Sequence, residues 1–188
     1  MPENPNPQGK GAVIVLNALN DHKFSCEVPP KQITQVEMEL FTSMFVLQSD
    51  IKFNPVVRRS YWLYQHNDGY KLSLIAPEEW TRPYRGAFIG ECVLQDDRTW
   101  TLALSSSMAN DQSFLKMIEE RRKRFMSSLD SAETLEEGLP EYDTTFSFYA
   151  KVLSYSLGRS LKHSMRLSGI HQLSYKQARG LLNHQKGE

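Results

Sequence analysis

Two pairs of adjacent carboxylates, Glu78-Glu79 and Asp96-Asp97, are the residues whose type suits acid–base chemistry. Such chemistry needs two groups converging on one substrate within hydrogen-bond reach, and neighbours on a turn point apart. Plainer roles fit both pairs. Glu78 and Glu79 follow Pro77 in what reads as a short helical turn over Glu78, Glu79 and Trp80, where proline and negative charge suit the N-terminal end. Asp96 and Asp97 are turn formers. His66 stands on a turn beside Asp68 and reads as a surface residue. The histidines at 22, 66, 163, 171 and 184 show neither an HExxH pattern nor zinc-ligand spacing, and Cys26 and Cys92 have no metal-ligand spacing. Gly9-Lys10-Gly11 lacks the spacing of a phosphate loop, and no Gly-x-Ser-x-Gly elbow occurs. No catalytic residue, metal site or cofactor is expected, and the chain reads as leaning away from an enzyme.

Charge is the second source of chemistry. Lys and Arg number 22 and so do Asp and Glu, for a formal net charge of zero. The balance is uneven along the chain. From Thr144 onward, seven basic residues face Glu188 alone, a net charge of +6, so the remainder carries −6. Lys151, Arg159, Lys162 and Arg166 fall on one long predicted helix, the last three at steps of three and four that share a face. They are candidate contacts for an acidic partner or for nucleic acid. The acidic segment at 130–143 holds Glu133, Glu136 and Glu137 and no basic residue. Either it folds back on the basic face or that face is free to dock something acidic; partial cover is expected, with Arg159 and Arg166 exposed. For nucleic acid, Lys162 to Leu182 suits a helix-turn-helix, with Gly169 at the turn, Ile170 buried after it, and Tyr175 and Ala178 facing inward. Met165 stands where a small residue usually lets the helices approach. Arg121 to Arg124 resembles a basic patch, but Glu119 and Glu120 precede Lys123 and Arg124 by four residues, the favourable order for helix ion pairs.

The elements that position these groups centre on Phe53 to Leu104, which contains Trp62, Trp80 and Trp100. Tyr61 to Gln65 is a run of strand formers, His66 to Gly69 a hairpin turn, and Tyr70 to Ile75 a second strand with Leu72 and Leu74 on one face. Ala87 to Gln95 and Thr99 to Leu104 supply two more strands across an Asp96-Asp97-Arg98 turn, the last with Trp100, Leu102 and Leu104 on one face. The fold class is therefore α+β: a central antiparallel sheet of about four strands, a meander or small open barrel, flanked by N-terminal and C-terminal helices. The aromatic side chains exceed what one sheet face can bury. Tyr61, Trp62, Tyr64, Tyr84 and Trp100 are accordingly candidates to line a groove for a protein partner.

The chain's 188 residues suit one domain. It divides into a flexible tail (1–11), an N-terminal helical arm (12–52), the sheet (53–104) and a C-terminal helical region (105–188). Within the arm, 12–19 favours a short helix. A helix from Lys31 to Asp50 is expected, since Ile33, Val36, Leu40, Met44, Leu47 and Ile51 form one apolar stripe, with Leu40, Met44 and Leu47 set to pack on Leu72, Leu74 and Trp100. Ser105 to Asn110 reads as a polar link, and Asn110 or Asp111 as the cap of a helix to about Leu129 with Phe114, Ile118, Phe125 and Leu129 inside. Ser131 suits the cap of a short helix within 130–143. Thr144 to Ser168 is a long helix ended by Gly169, and Ser174 with Gln177 forms a capping box for a last helix. No apolar run is long enough to cross a membrane. The expected location is the cytoplasm, and the expected function a non-enzymatic protein-interaction or adaptor module, with nucleic-acid binding by the basic C-terminal helices as the alternative. The oligomeric state is left open.

The segments SYWLYQ, LSLIAPEEW and DDRTWTL resemble a domain-of-unknown-function family of bacteria and eukaryotes. That family pairs a tyrosine-leucine-tyrosine strand with a proline-glutamate-glutamate-tryptophan segment and a threonine-tryptophan strand. The resemblance implies a shared fold and assigns no activity and no site residue.

Overall fold

A computed structural model describes residues 28–81, 86–140 and 145–184. The expectations for 1–11 and 12–19, and those for Cys26 and Tyr84, lie outside these residues. The first helix, α1, spans Ile33–Leu47. Four strands follow: β1 (Ser60–His66), β2 (Gly69–Ser73), β3 (Phe88–Leu94) and β4 (Trp100–Leu104). The helices α2 (Ser106–Asn110), α3 (Gln112–Asp130), α4 (Phe148–Leu167) and α5 (Tyr175–His184) complete the chain.

All strand pairings are antiparallel, and the fold is α+β with helices before and after the sheet. The sheet is open and its order is β2-β1-β3-β4, so the chain does not add strands in simple succession. After the β1–β2 hairpin it returns across the sheet and lays β3 on the free edge of β1. Asn67, at φ 50°, takes the left-handed conformation that this tight hairpin requires. The returning segment includes a 3-10 turn at Pro77–Glu79, whose first backbone amide is capped when Ala76 N–H donates to Glu79 Oε2 at 2.7 Å. Trp80 thereby lies edge-on to Tyr64, with its indole N–H donating to the phenol oxygen at 3.0 Å.

The helix side of the sheet holds the core. Cross-strand partners Tyr61 and Cys92, then Cys92 and Leu102, share that face, as do Leu63 and Leu72. Leu40 and Val46 of α1 are fully buried there, and Ser43 Oγ accepts from Trp100 N–H at 2.8 Å, which fixes α1 on β4. The apolar stripe of α1 thus packs on the sheet as its spacing predicts, with two exceptions: Met44 is half-buried and lines a hollow with Arg121 and Phe125 of α3, and Leu74 turns away from the helix. Leu74 is 47% exposed. β2 ends at Ser73, whose hydroxyl accepts from Ile75 N–H at 3.1 Å and turns the chain out of the strand before Leu74 can continue the alternation.

Two local expectations differ from the structure. Ser105 is not part of a polar link: its hydroxyl accepts from Met108 N–H at 3.2 Å and starts α2. Among the described residues, 131–140 forms successive turns instead of a helix. Ser131 is the C-terminal cap of α3, donating its hydroxyl to Ser128 O at 2.7 Å, and so cannot cap a helix beyond. Other signals are met. Asp111 Oδ1 accepts from Ser113 N–H and Phe114 N–H, Gly169 ends α4 at φ 69°, and Ser174 and Gln177 exchange side-chain to backbone bonds of 2.9 and 3.3 Å.

Candidate functional site

α4 is amphipathic in an unequal way. Leu153, Leu157, Leu161 and Met165 are buried, and Ser154, Ser160 and Ser164 on the same side are small enough to let neighbours close in. Ser164 Oγ donates to Pro29 O at 2.7 Å, and Lys31 N–H donates to Ser168 Oγ at 2.9 Å, so the strap before α1 is tied along the end of α4. The opposite side is a single stripe. Phe148, Lys151, Tyr155, Arg159, Lys162 and Arg166 recur at steps of three and four, and Phe148 and Tyr155 are 47% and 41% exposed. The guanidinium of Arg159 lies 5.9 Å from the Tyr155 ring centroid, within cation–π range.

Segment 131–140 runs antiparallel beside this stripe. Its backbone is held by Leu135 N–H donating to Leu173 O at 2.9 Å, by the buried side chains of Leu135 and Leu139, and by Gly138 against Tyr175. Glu136 projects onto α4 and bonds Lys162, while Arg166 Nε donates to its Oε1 at 3.1 Å. Partial burial raises the Glu136 pKa, but the hydrogen bonds from Lys162 and Arg166 outweigh this and hold the carboxyl below its usual range. Between the segment and the helix lies an open groove of about 680 Å³, lined by Leu139, Pro140, Tyr155 and Gly158, then Arg159, Lys162, His163, Arg166 and Glu136. It combines an apolar wall with convergent cations, an arrangement suited to an anionic group carried next to an apolar one.

Among the described residues, Glu136 covers part of the basic face, and it does so at Lys162 and at Arg166, which the sequence reading leaves uncovered. Glu133 and Glu137 meet each other instead, with Glu133 N–H donating to Glu137 Oε2 at 3.0 Å. Arg166 keeps 54% of its side chain exposed while bonded. Lys151 is half-buried two turns away on the same side as Tyr155.

Among the described residues of the aromatic set, Tyr61, Trp62, Tyr64 and Trp100 do not line one groove. Tyr61, Tyr64 and Trp100 are about 1% exposed, the first stacked on Phe53 and edge-on to Trp100, the second under Trp80. Trp62 is half-buried on the outer face of the sheet beside Glu91 and Ser73. The carboxylate pairs are structural where their contacts are defined. Glu79 caps the 3-10 turn and Asp96 pairs with Arg58. Asp97 accepts from Lys31, which also bonds Glu39 and is itself buried. Burial would raise the Asp97 pKa, but Lys31 and the Thr99 hydroxyl and amide hold it below its usual value. Lys123 and Glu119 are 3.9 Å apart, the helical ion pair that the spacing implies. Among the described residues no group of three His, Cys, Asp or Glu is placed to hold a metal ion.

The C-terminal hairpin has part of the inner face expected of it: Tyr175 and Ala178 are buried, but Ile170 is only half-buried. Arg179 of α5, however, is turned inward. Its Nε donates to Glu37 of α1 at 2.6 Å and its Nη1 to Asp130 of α3 at 2.8 Å.

Residues 32–122 match the family model described as Protein of unknown function (DUF2452), in keeping with the resemblance seen in the strand and turn motifs. The match takes in α1, the whole sheet, α2 and the first half of α3; the α4 groove lies beyond it. No curated protein and no solved structure matches the chain. No helix of the described residues is long and apolar enough to cross a membrane.

Proposed function

We propose that this protein is an interaction module that docks an acidic protein segment on the exposed face of α4, with Tyr155, Arg159, Lys162 and Arg166 as the principal contacts. The supporting observation is Glu136, a carboxylate already seated on Lys162 and Arg166. A face that holds its own carboxylate has the geometry to hold another. Phe148 and Tyr155 add rigid apolar area at little entropic cost, as contact residues do at protein interfaces. The domain behind the face is a scaffold: the sheet and α1 form the core, and α4 is strapped to it through Pro29 and Lys31.

Nucleic acid is the competing reading, since Tyr155 beside Arg159 also suits base stacking. One feature favours the acidic peptide: Arg179 of the final helix is committed to Glu37 and Asp130, which takes a cation away from the phosphate contacts that α5 would otherwise supply. Fluorescence anisotropy with a labelled oligoglutamate peptide and a labelled single-stranded oligonucleotide separates the readings. The peptide is expected to bind, and Arg159→Gln with Lys162→Gln to weaken it by about tenfold or more, the loss of roughly 1.4 kcal/mol. Binding of the oligonucleotide alone, with a steep salt dependence, would transfer the assignment to nucleic acid.

A further inference from the structure

We infer that Glu136 is an internal competitor for the α4 groove: the docked acidic segment takes its place on Lys162 and Arg166 and sets a neighbouring apolar side chain against Tyr155 and Pro140. This rests on the proposed acidic partner and specifies how the site takes it. Three observations carry it.

The backbone around Glu136 is fixed independently of its carboxylate. Leu135 is fully buried and its amide is bonded to Leu173, and Gly138 is packed against Tyr175 and Leu129. The side chain can therefore rotate off the cations without unfolding the segment that carries it. Its bonds are weakly held, because Lys162 and Arg166 are 42% and 54% exposed and solvent-exposed ion pairs contribute little. The third observation is the antiparallel course of 136–140 along α4. Glu136 meets Lys162 and Arg166, while Pro140 meets Gly158 one turn nearer Tyr155. The charged and apolar portions of the groove thus follow each other along the helix, and a partner with a carboxylate and an apolar residue a few positions apart satisfies both.

The test is made on the full chain with the labelled oligoglutamate peptide and a second peptide containing one leucine among the glutamates. Glu136→Gln keeps the side chain's size and removes the competing charge. It is expected to bind both peptides about threefold to tenfold more tightly than the unaltered protein at moderate salt. The leucine peptide should bind more tightly of the two, and Tyr155→Ala should abolish that difference. Unchanged or weaker binding by Glu136→Gln, with the unaltered protein still binding, overturns the competitor role and leaves the acidic-partner reading standing. Failure of both proteins to bind either peptide overturns the two together. A second measurement needs no variant. In carbon-detected NMR titrations of the unaltered protein, the depressed Glu136 pKa should return toward its ordinary value when peptide is bound. A pKa that stays depressed in the complex contradicts displacement.

Discussion

A Cβ placed on Gly158 would lie 2.6 Å from the carbonyl oxygen of Pro140, so α4 and the turn segment meet backbone to backbone at the apolar end of the groove. In an open helix, Gly→Ala is stabilising by roughly 0.8–1 kcal/mol. Here the contact reverses the sign, since the atom met is main chain and cannot rotate away. Gly158→Ala is expected to destabilise the protein by about 1–3 kcal/mol, the usual range for overpacking, in urea melts. A stabilised variant would show that segment 136–140 is not held against the helix.

The placement of α1 on the sheet has its own test. Leu40 is fully buried over β4, and Leu40→Ala should cost about 2–5 kcal/mol. A loss below about 0.5 kcal/mol, the level of a surface substitution, would put this helix outside the core.

Arg179 anchors α5, and its removal should be felt through Glu37. Burial is the larger influence on Glu37 and raises its pKa; the hydrogen bond from Arg179 offsets part of this. Arg179→Met strands that carboxylate, which is 5% exposed, and is expected to cost about 3–5 kcal/mol near pH 7. The sign with pH follows from linkage. A carboxyl with a folded pKa above its unfolded one binds more protons when folded, so its contribution to stability grows as pH falls through the raised value. The variant's deficit should accordingly shrink between pH 7 and pH 5 in paired melts. A deficit that grows on acidification would mean that Glu37 is not the residue responsible.

Cys92 is fully buried in β3, where burial and the neighbouring Glu91 carboxylate push its thiol up to about 12. The thiol is therefore both neutral and shielded at ordinary pH. With Cys26→Ser in place, a thiol reagent at pH 8 should label the protein only at the rate of unfolding. Rapid labelling without denaturant would contradict the packing of the central strands.

Much of this architecture was legible because its signals are local. Asp111, Gly169 and the Ser174–Gln177 pair act on amides within a few residues, and the stripe of α1 needs only a periodicity of 3.6. The differences arise where competing local bonds are both open to one residue, or where a distant partner decides. Leu74 continues the strand pattern on paper, but the Ser73 hydroxyl ends β2 first. Ser131 can cap a helix on either side of itself, and its bond to Ser128 O settles it on α3. Tyr61, Tyr64 and Trp100 looked available for a groove because sequence does not show that α1 and Trp80 cover the two faces of the sheet. The basic stripe of α4 was readable from its spacing. Which of the acidic residues would meet it was not, because Glu136 is selected over Glu133 and Glu137 by the turns at 131–140. Tyr155 could have been found from its step of four to Arg159, which places it on the same face.

The most direct test of the docking face is to map it. Nitrogen-15-labelled protein titrated with the oligoglutamate peptide should show amide shifts concentrated along the outer side of α4, from Phe148 to Arg166, and in the turn at 136–140. Shifts clustered instead on the outer sheet face around Trp62 and Glu91, with α4 unperturbed, would contradict the proposed site.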